Sequence, residues 1–516
     1  MKIIKNHIGN AAAVGLLLGV VTLTAGCSTQ AATSNSLSFG QTSVALTSGG
    51  TGREQTISTI DPSWYVSRMD ANGAAFYVLD AISPDGKHIA YRANTGNDKC
   101  FVVLDNHHGK SYDKTFDYVF SPDSKRMAYI AQDGDYGVVV VNGIEGKRYP
   151  LVPGAGIERM TCPISSLVFS PDSRSLVYIV QIGEKSLVVK DGVEGNPYDR
   201  ITGDSGNLTP GIVFSQDSHQ MAFAAETGNQ EFAVINGIEG KPYDHIGMIV
   251  FSPDGKHVAY TADKHNRWFT VIDGIENETD TAFFSNFSPD SRHTVSITGT
   301  PGDQWVIQDG KAGPHYAQVS DAVFSPDSKQ LAYAAATGDS LFVVINGVEG
   351  KHYTRSPSDN ISGIIFSPDS ERIAFIVSQT NKNMMVVDGT EGKQYDSITS
   401  PVFSPNSRRF AYIAQNNFLE CFMVIDNVES KPYDFLFLSP VFSPDSKGIV
   451  YSAQKAGKEI LVCNSVEEKP YDWIFFEPYS RKINGVNSTI FFDSPNSLHY
   501  LAKSGNSIIL VEKNIK

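Results

Sequence analysis

The chain is poor in cysteine, tryptophan and methionine: five, four and nine in 516 residues. Cys100, Cys162, Cys421 and Cys463 have no Cys-x-x-Cys spacing, so neither a zinc site nor a disulfide framework is expected. These four are read as buried or loop thiols. No run of Lys or Arg occurs, and 56 acids against 42 bases give a net charge of −14. A chain of that sign repels phosphate backbones, so nucleic acid is not an expected partner. Gly-x-Ser-x-Gly is absent, no motif implies a metal or cofactor, and no catalytic residue is assigned.

What is present points to strands. Phe (29) and Tyr (22) dominate the aromatics, and the 41% hydrophobic and 19% charged content is that of a folded protein. A chain this long is too large for one ordinary core, so several domains or a repeat array are expected.

Residues 1–26 read as an export signal. Lys2 and Lys5 give the positive start, and Ala11 to Leu23 the apolar run, which is short for a membrane span. Leu23-Thr24-Ala25-Gly26-Cys27 resembles the bacterial lipobox, which implies cleavage before Cys27 and diacylglycerol on its thiol. Several acyl chains on Cys27 would anchor the chain stably to a membrane. Ser28, which is not Asp, implies the outer membrane if the organism is Gram-negative. Residues 27–55 are read as a Ser/Thr/Gly-rich tether, with Ser43-Val44-Ala45-Leu46 as an alternative short strand.

The rest of the chain, 56–516, is periodic. Ser-Pro-Asp-Ser/Gly begins at Ser83, Ser121, Ser170, Ser252, Ser288, Ser325, Ser367 and Ser443, with variants at Ser215, Ser404 and Ser494. Ser83 to Ser494 spans 411 residues and ten intervals, about 41 per repeat, a propeller-blade length. Around Ser367 the unit reads as strands 363–366, 372–377, 384–387 and 393–398, with Ser-Pro-Asp-Ser as the first turn. Third strands such as Val138-Val139-Val140-Val141 are apolar throughout, as strands buried on both faces are. Second strands pair a small residue with an aromatic, as in Ala128-Tyr129 and Ala259-Tyr260. Asn-Gly at Asn142, Asn236 and Asn346 marks the third-to-fourth hairpin.

These repeats resemble the TolB-like, WD-related propellers of bacterial envelope proteins, with Tyr-Asp (Tyr112-Asp113, Tyr395-Asp396, Tyr471-Asp472) where a WD repeat has Trp-Asp. The expected fold is an all-β propeller of eleven four-stranded repeats. Ordinary propellers hold four to eight blades. Two abutting rings, split near residue 285, are therefore expected ahead of one wide ring. The last repeat lacks a fourth strand, and a segment within 53–70 is expected to supply it.

Other motifs read as structure. Gly203-Asp204-Ser205-Gly206 spells a serine-protease tetrapeptide but lies where turn residues belong, without partner motifs. Asp133-Gly134-Asp135 lacks the further ligands of a calcium loop. His107-His108 falls at a turn, and the recurring Asp of both repeat motifs fits the capping of local backbone groups. Longer links between repeats, at 150–166, 202–211, 354–362 and 476–488, are where binding loops are expected if they share a face. The functional expectation is a non-catalytic binding or scaffold lipoprotein of the cell envelope, lipid-anchored through Cys27, with a protein, peptide or glycan partner. The resemblance implies action through protein contact. The alternatives are a propeller hydrolase or polysaccharide-acting enzyme with carboxylates in the central funnel, and a structural surface protein without a discrete ligand.

Overall fold

The computed structural model describes residues 52–515, except 62–66, 70–74, 78, 95–98, 154–159, 203–210, 280–284, 357, 418–419, 438 and 476–489. Cys27 and Ser43–Leu46 thus lie outside the described residues. Among those described, no helix occurs and eleven sheets form the blades. Blades 1 to 10 span 81–108, 114–150, 164–194, 200–243, 245–279, 285–316, 318–354, 360–395, 397–429 and 435–471. Blade 11 combines 473–514 with Gly52–Thr59.

Blade 2 shows the plan. Lys114–Phe120, Met127–Asp133, Tyr136–Val141 and Ile144–Pro150 pair antiparallel in sequence order. The apolar third strand is buried because neighbouring blades cover both of its faces. The fourth strand in the unit around Ser367 is Thr390–Tyr395, not 393–398. Asp396 stands at the corner, and Ser397 already begins blade 9. Several first strands carry a bulge with a residue at positive φ, as at Asp117, Ser166, Asp321, Gly363 and Ser400.

Each blade packs on the next, and blade 11 packs on blade 1 through Ile57, Ile60, Ile82, Ile89, Leu501 and Ile508. Blades 5 and 6 meet as the others do: Asp254 N–H donates to Ser291 Oγ (2.9 Å) and His257 stacks on Phe287. Among the described residues no blades distant in sequence make comparable contact, save the last and first. The chain is therefore one ring of eleven blades. The two-ring arrangement and the split near 285 do not form, because the apolar flanks that smaller rings would close on are already covered by sequence neighbours.

Gly52–Thr59 pairs with Ser507–Asn514 and completes blade 11, as the missing fourth strand required. It starts at Gly52, so the repeat region begins four residues before its expected start at residue 56. First strands of adjacent blades touch one another whereas fourth strands do not, so the first strands lie nearest the axis and the fourth at the rim.

Candidate interaction faces

Strand alternation gives the ring two unlike faces. Ser-Pro-Asp turns and Asn-Gly hairpins share one, here the turn face. Second-to-third hairpins and the links between blades share the other, the link face.

The turn face is stitched together by the repeat motif. In blade 2, Ser121 Oγ donates to Asp123 Oδ1 (2.6 Å), which also accepts Lys125 N–H (3.2 Å). The fourth turn residue, Ser124, has φ 61° and offers its Oγ to Asp85 N–H of blade 1 (3.0 Å). The same bond recurs at Asp123–Ser173, Asp172–Ser218, Asp290–Ser328, Asp327–Ser370 and Asp369–Ser407. Glycine would suit that backbone equally, so the added role of serine is the bond across the joint. The Asp123 carboxylate is raised by burial, but the Ser121 hydroxyl and turn N–H bonds outweigh this and hold it below its usual range.

The rim carries a second clamp. Tyr243 donates from its hydroxyl to Glu276 Oε1 of blade 5 (2.8 Å), packs edge-on against Tyr260, and lies beside the Lys241–Glu276 ion pair (3.1 Å). Tyr112 and Lys110 act alike on Glu145, and Tyr395 and Lys393 on Glu429. Lys110 and Arg148 hold Glu145 down to about 2, whereas burial pushes the Tyr112 phenol up to about 12. This is the reason for both the Tyr and the Glu-Gly-Lys of the repeat: they meet between blades.

The Asp of Tyr-Asp does not cap local backbone, as expected from sequence. Asp113 accepts Gly134 N–H (2.7 Å), Asp396 accepts Asn417 N–H (2.7 Å) and Asp472 accepts Gly505 N–H (2.7 Å). In each case the partner is a second-to-third turn further round. Asp133-Gly134-Asp135 is such a turn, and Asp133 takes Lys110 and Arg148. His107–His108 is a short exposed fourth strand, with His108 edge-on to Phe101. Cys100, Cys162, Cys421 and Cys463 are free thiols, and no metal-holding cluster occurs among the described residues.

The links at 150–166 and 354–362 lie on the link face by topology. Those expected at 202–211 and 476–488 instead interrupt the first strands of blades 4 and 11, whose halves Arg200–Thr202 and Ile212–Phe214, and Trp473–Ile474 and Ile490–Ser494, flank them on one second strand each. Gly203–Gly206 and 476–488 lie outside the described residues. The link at 150–166 bears a small hairpin, Val152–Pro153 with Met160–Thr161. A second hairpin, Ser67–Met69 with Ala75–Tyr77, joins blade 11 to blade 1 and was not read from sequence. The 354–362 link has structural work: buried Asp359 accepts Ser356 N–H (2.9 Å) and Thr380 N–H (3.0 Å). It caps the blade 8 turn that Tyr353-Thr354, lacking the Asp, cannot.

Among the described first strands, an acid occurs at Asp493, near the turn end in blade 11, and further acids lie mid-strand at Asp117 and Asp321. Burial raises Asp321, which accepts Gly363 N–H (3.1 Å). Asp117 and Asp321 belong to blades 2 and 7 of eleven and stand on opposite sides of the ring. A glycosidase pair needs a separation of roughly 5–9.5 Å.

A third position, near the start of third strands, was also missed by sequence. Glu231, Gln304 and Glu459 each reach to the next blade, accepting from Ile246 (2.7 Å), Val319 (2.9 Å) and Ile474 (2.6 Å) N–H. Burial alone would raise Glu231, but His245 (3.1 Å) and the Ile246 N–H outweigh it and hold the carboxyl low. Glu459 has no such cation; burial raises it to about 7, and its Oε1 has no hydrogen-bond partner.

No protein-family model and no curated protein sequence matches the chain. Similar solved structures include "Crystal structure of the eukaryotic initiation factor" (14% identity, 67% of this chain and 96% of that one, TM-score 0.39). "Structure of Dos1 propeller" is 9% identical over 59% of this chain and 92% of that one, TM-score 0.31. Kuenenia stuttgartiensis hydrazine synthase is 15% identical over 50% and 94%, TM-score 0.27. Likeness of this degree does not bear on function.

Proposed function

We propose that the chain is a non-catalytic binding scaffold of the bacterial cell envelope, anchored through lipid on Cys27, whose link face receives a protein, peptide or glycan. One observation carries the reading. The chain enters the ring at Gly52 on the turn face, because Gly52 pairs with Lys513 and Thr59 with Ser507. The elaborated links at 150–166 and 354–362 leave from the opposite face. An anchor on one side and adaptable loops on the other is the arrangement a tethered receptor needs. The lipobox at 23–27 and the resemblance to TolB-like repeats support the envelope location, and Ser28 supports the outer membrane in a Gram-negative cell.

The enzymatic alternative finds less support, since Asp117 and Asp321 do not converge. Two measurements test the proposal. Palmitate labelling and membrane fractionation of the Cys27→Ser chain are expected to show loss of acylation and of stable membrane retention. Cross-linking in intact envelopes is expected to join a partner to the wild type but not to a chain with 154–159 replaced by Gly-Ser. Equal cross-linking in both chains would remove the link face from the proposal.

A further inference from the structure

The Asn-Gly hairpins expose a ring of apolar side chains. The residue after the two-residue hairpin turn is Ile144, Val193, Ile238 and Ile275 in blades 2 to 5, Val348 in blade 7, and, where Asn427 and Ser465 replace the glycine, Val428 in blade 9 and Val466 in blade 10. These seven are 61–74% exposed, among the most exposed large apolar side chains of the described residues. Single exposed apolar residues are ordinary. Seven at one repeat position, at one height on the turn-face rim, are not scattered. The other four blades place His107, Lys311, Thr390 and Arg53 there, so none is acidic in a chain with 14 more acids than bases.

A second layer lies inside this rim. The residue after the Ser-Pro-Asp-Ser/Gly turn is Lys87, Arg292 and Arg408 in blades 1, 6 and 9 and Glu371 in blade 8, and in blades 2, 3, 5, 7 and 10 it is Lys125, Arg174, Lys256, Lys329 and Lys447. These last five side chains are 76–87% exposed, against 28–42% for the turn carboxylates beside them. The carboxylates are also engaged in the turn, so the part of this layer that projects furthest is positive.

The position of Gly52 says what meets this face. The strand begins on the turn face at the rim, and 25 residues separate it from Cys27. A segment of that length and composition spans roughly 25–30 Å on average, so a bilayer holding Cys27 would lie beside this face and not the other. We infer that the turn face docks on the anionic phospholipid surface of the membrane that holds the chain, the Ile/Val rim entering the interface and the Lys/Arg tips meeting phosphate. The inference rests on the lipid-anchor reading for its geometry, but the contact itself needs no acyl chain.

The test is flotation of the full Cys27→Ser chain with vesicles of phosphatidylcholine alone, or with about one-third phosphatidylglycerol. The leader is common to all variants, so differences between variants are read. I144D/V193D/I238D/I275D is expected to lower binding to the anionic vesicles at least tenfold. K125Q/R174Q/K256Q/K329Q is expected to abolish the preference for them and its salt sensitivity. K99Q/K185Q/K382Q/K458Q, on the link face, is expected to bind as the parent does. All the sites are surface positions, and matched thermal unfolding curves confirm the fold. Equal effects from the turn-face and link-face sets, or no effect from either, overturn the docking inference. Wild-type chain that takes up no acyl label overturns the anchor alone.

Discussion

The ring has a regular kind of joint and one closing joint, and the two are built differently. At most regular joints a Tyr, a Lys and a Glu recur across the rim, as in Lys241-Pro242-Tyr243 against Glu276, although the sequence has Glu278, Asp280 and Ala312 at those positions where blades 5 and 6 meet. Between blades 11 and 1 both halves of that clamp are missing. Thr56 and Ser58 stand where Lys and Tyr belong, and His108 stands where Glu belongs. The clamp into blade 11 itself is kept, because Glu54 on the N-terminal strand accepts from Tyr471 (2.8 Å) and Lys469 (2.9 Å). In its place the closing joint has Ser58 Oγ with Tyr91 OH (2.9 Å), His499 Nε2 donating to Asp85 O (2.8 Å), and the apolar packing of Ile57 and Ile60. The closure relies on strand pairing and buried isoleucine where most other joints add the polar clamp.

The largest effect should come from breaking the closure. Removing 52–60 is expected to cost more than about 5 kcal/mol, given roughly 2–5 for each buried isoleucine lost, and to replace one cooperative unfolding transition with broad melting, read by calorimetry. Next is a regular clamp. Tyr243→Ala is expected to cost about 3–5 kcal/mol, and Tyr243→Phe about 1–2, since it deletes only the hydroxyl bond to a carboxylate. Denaturant midpoints separate the two; equal losses would mean that the ring packing carries nothing.

A pH experiment sharpens the contrast between joints. Glu459 is raised to about 7 in the folded chain from an ordinary 4.5. The folded state therefore holds its proton more tightly, and stability falls as pH rises from 4.5 to about 7, then stays low. Glu459→Gln, which copies Gln304, is expected to stabilise by on the order of 2–3 kcal/mol at pH 8 and by little at pH 4.5. Glu231 is lowered, so its contribution is present above pH 4.5 and is lost on acidification below it. Glu231→Gln is expected to destabilise at pH 7. Urea midpoints of both variants across pH 4–8 check the opposite signs. The smallest effect is a graft: Thr56→Lys, Ser58→Tyr and His108→Glu together should gain about 1 kcal/mol, and Ser58→Tyr alone should not, by a double-mutant comparison.

Much of this fold was legible because a 41-residue period with four apolar stretches has few other solutions, and because a final repeat without its fourth strand called for one from the other end. Ring number was not legible. The period says that each flank meets a like flank, but not how many units close the circle. For the same reason the Asp of Tyr-Asp looked local: a repeated residue keeps the same neighbours in type whether its partner is its own repeat or the next. One signal was available. Ser58 and His108 break the motif on the two sides of a single joint, which fixes Tyr and Glu as partners between blades. Of the candidate site, the inserted links were legible as insertions. The role of Asp359 was not, because its partner Thr380 lies in a turn beyond the link.

The pairing of Glu54 with Tyr471, 417 positions apart, sets an order of events. Of the ring's strands, the one made first is the last to find its place, for its neighbour Ser507–Asn514 is the last of them to be made. Until then, ten blades form at most an open arc with a greasy flank at each end. Such an arc locks only when the two ends of the ring meet in blade 11.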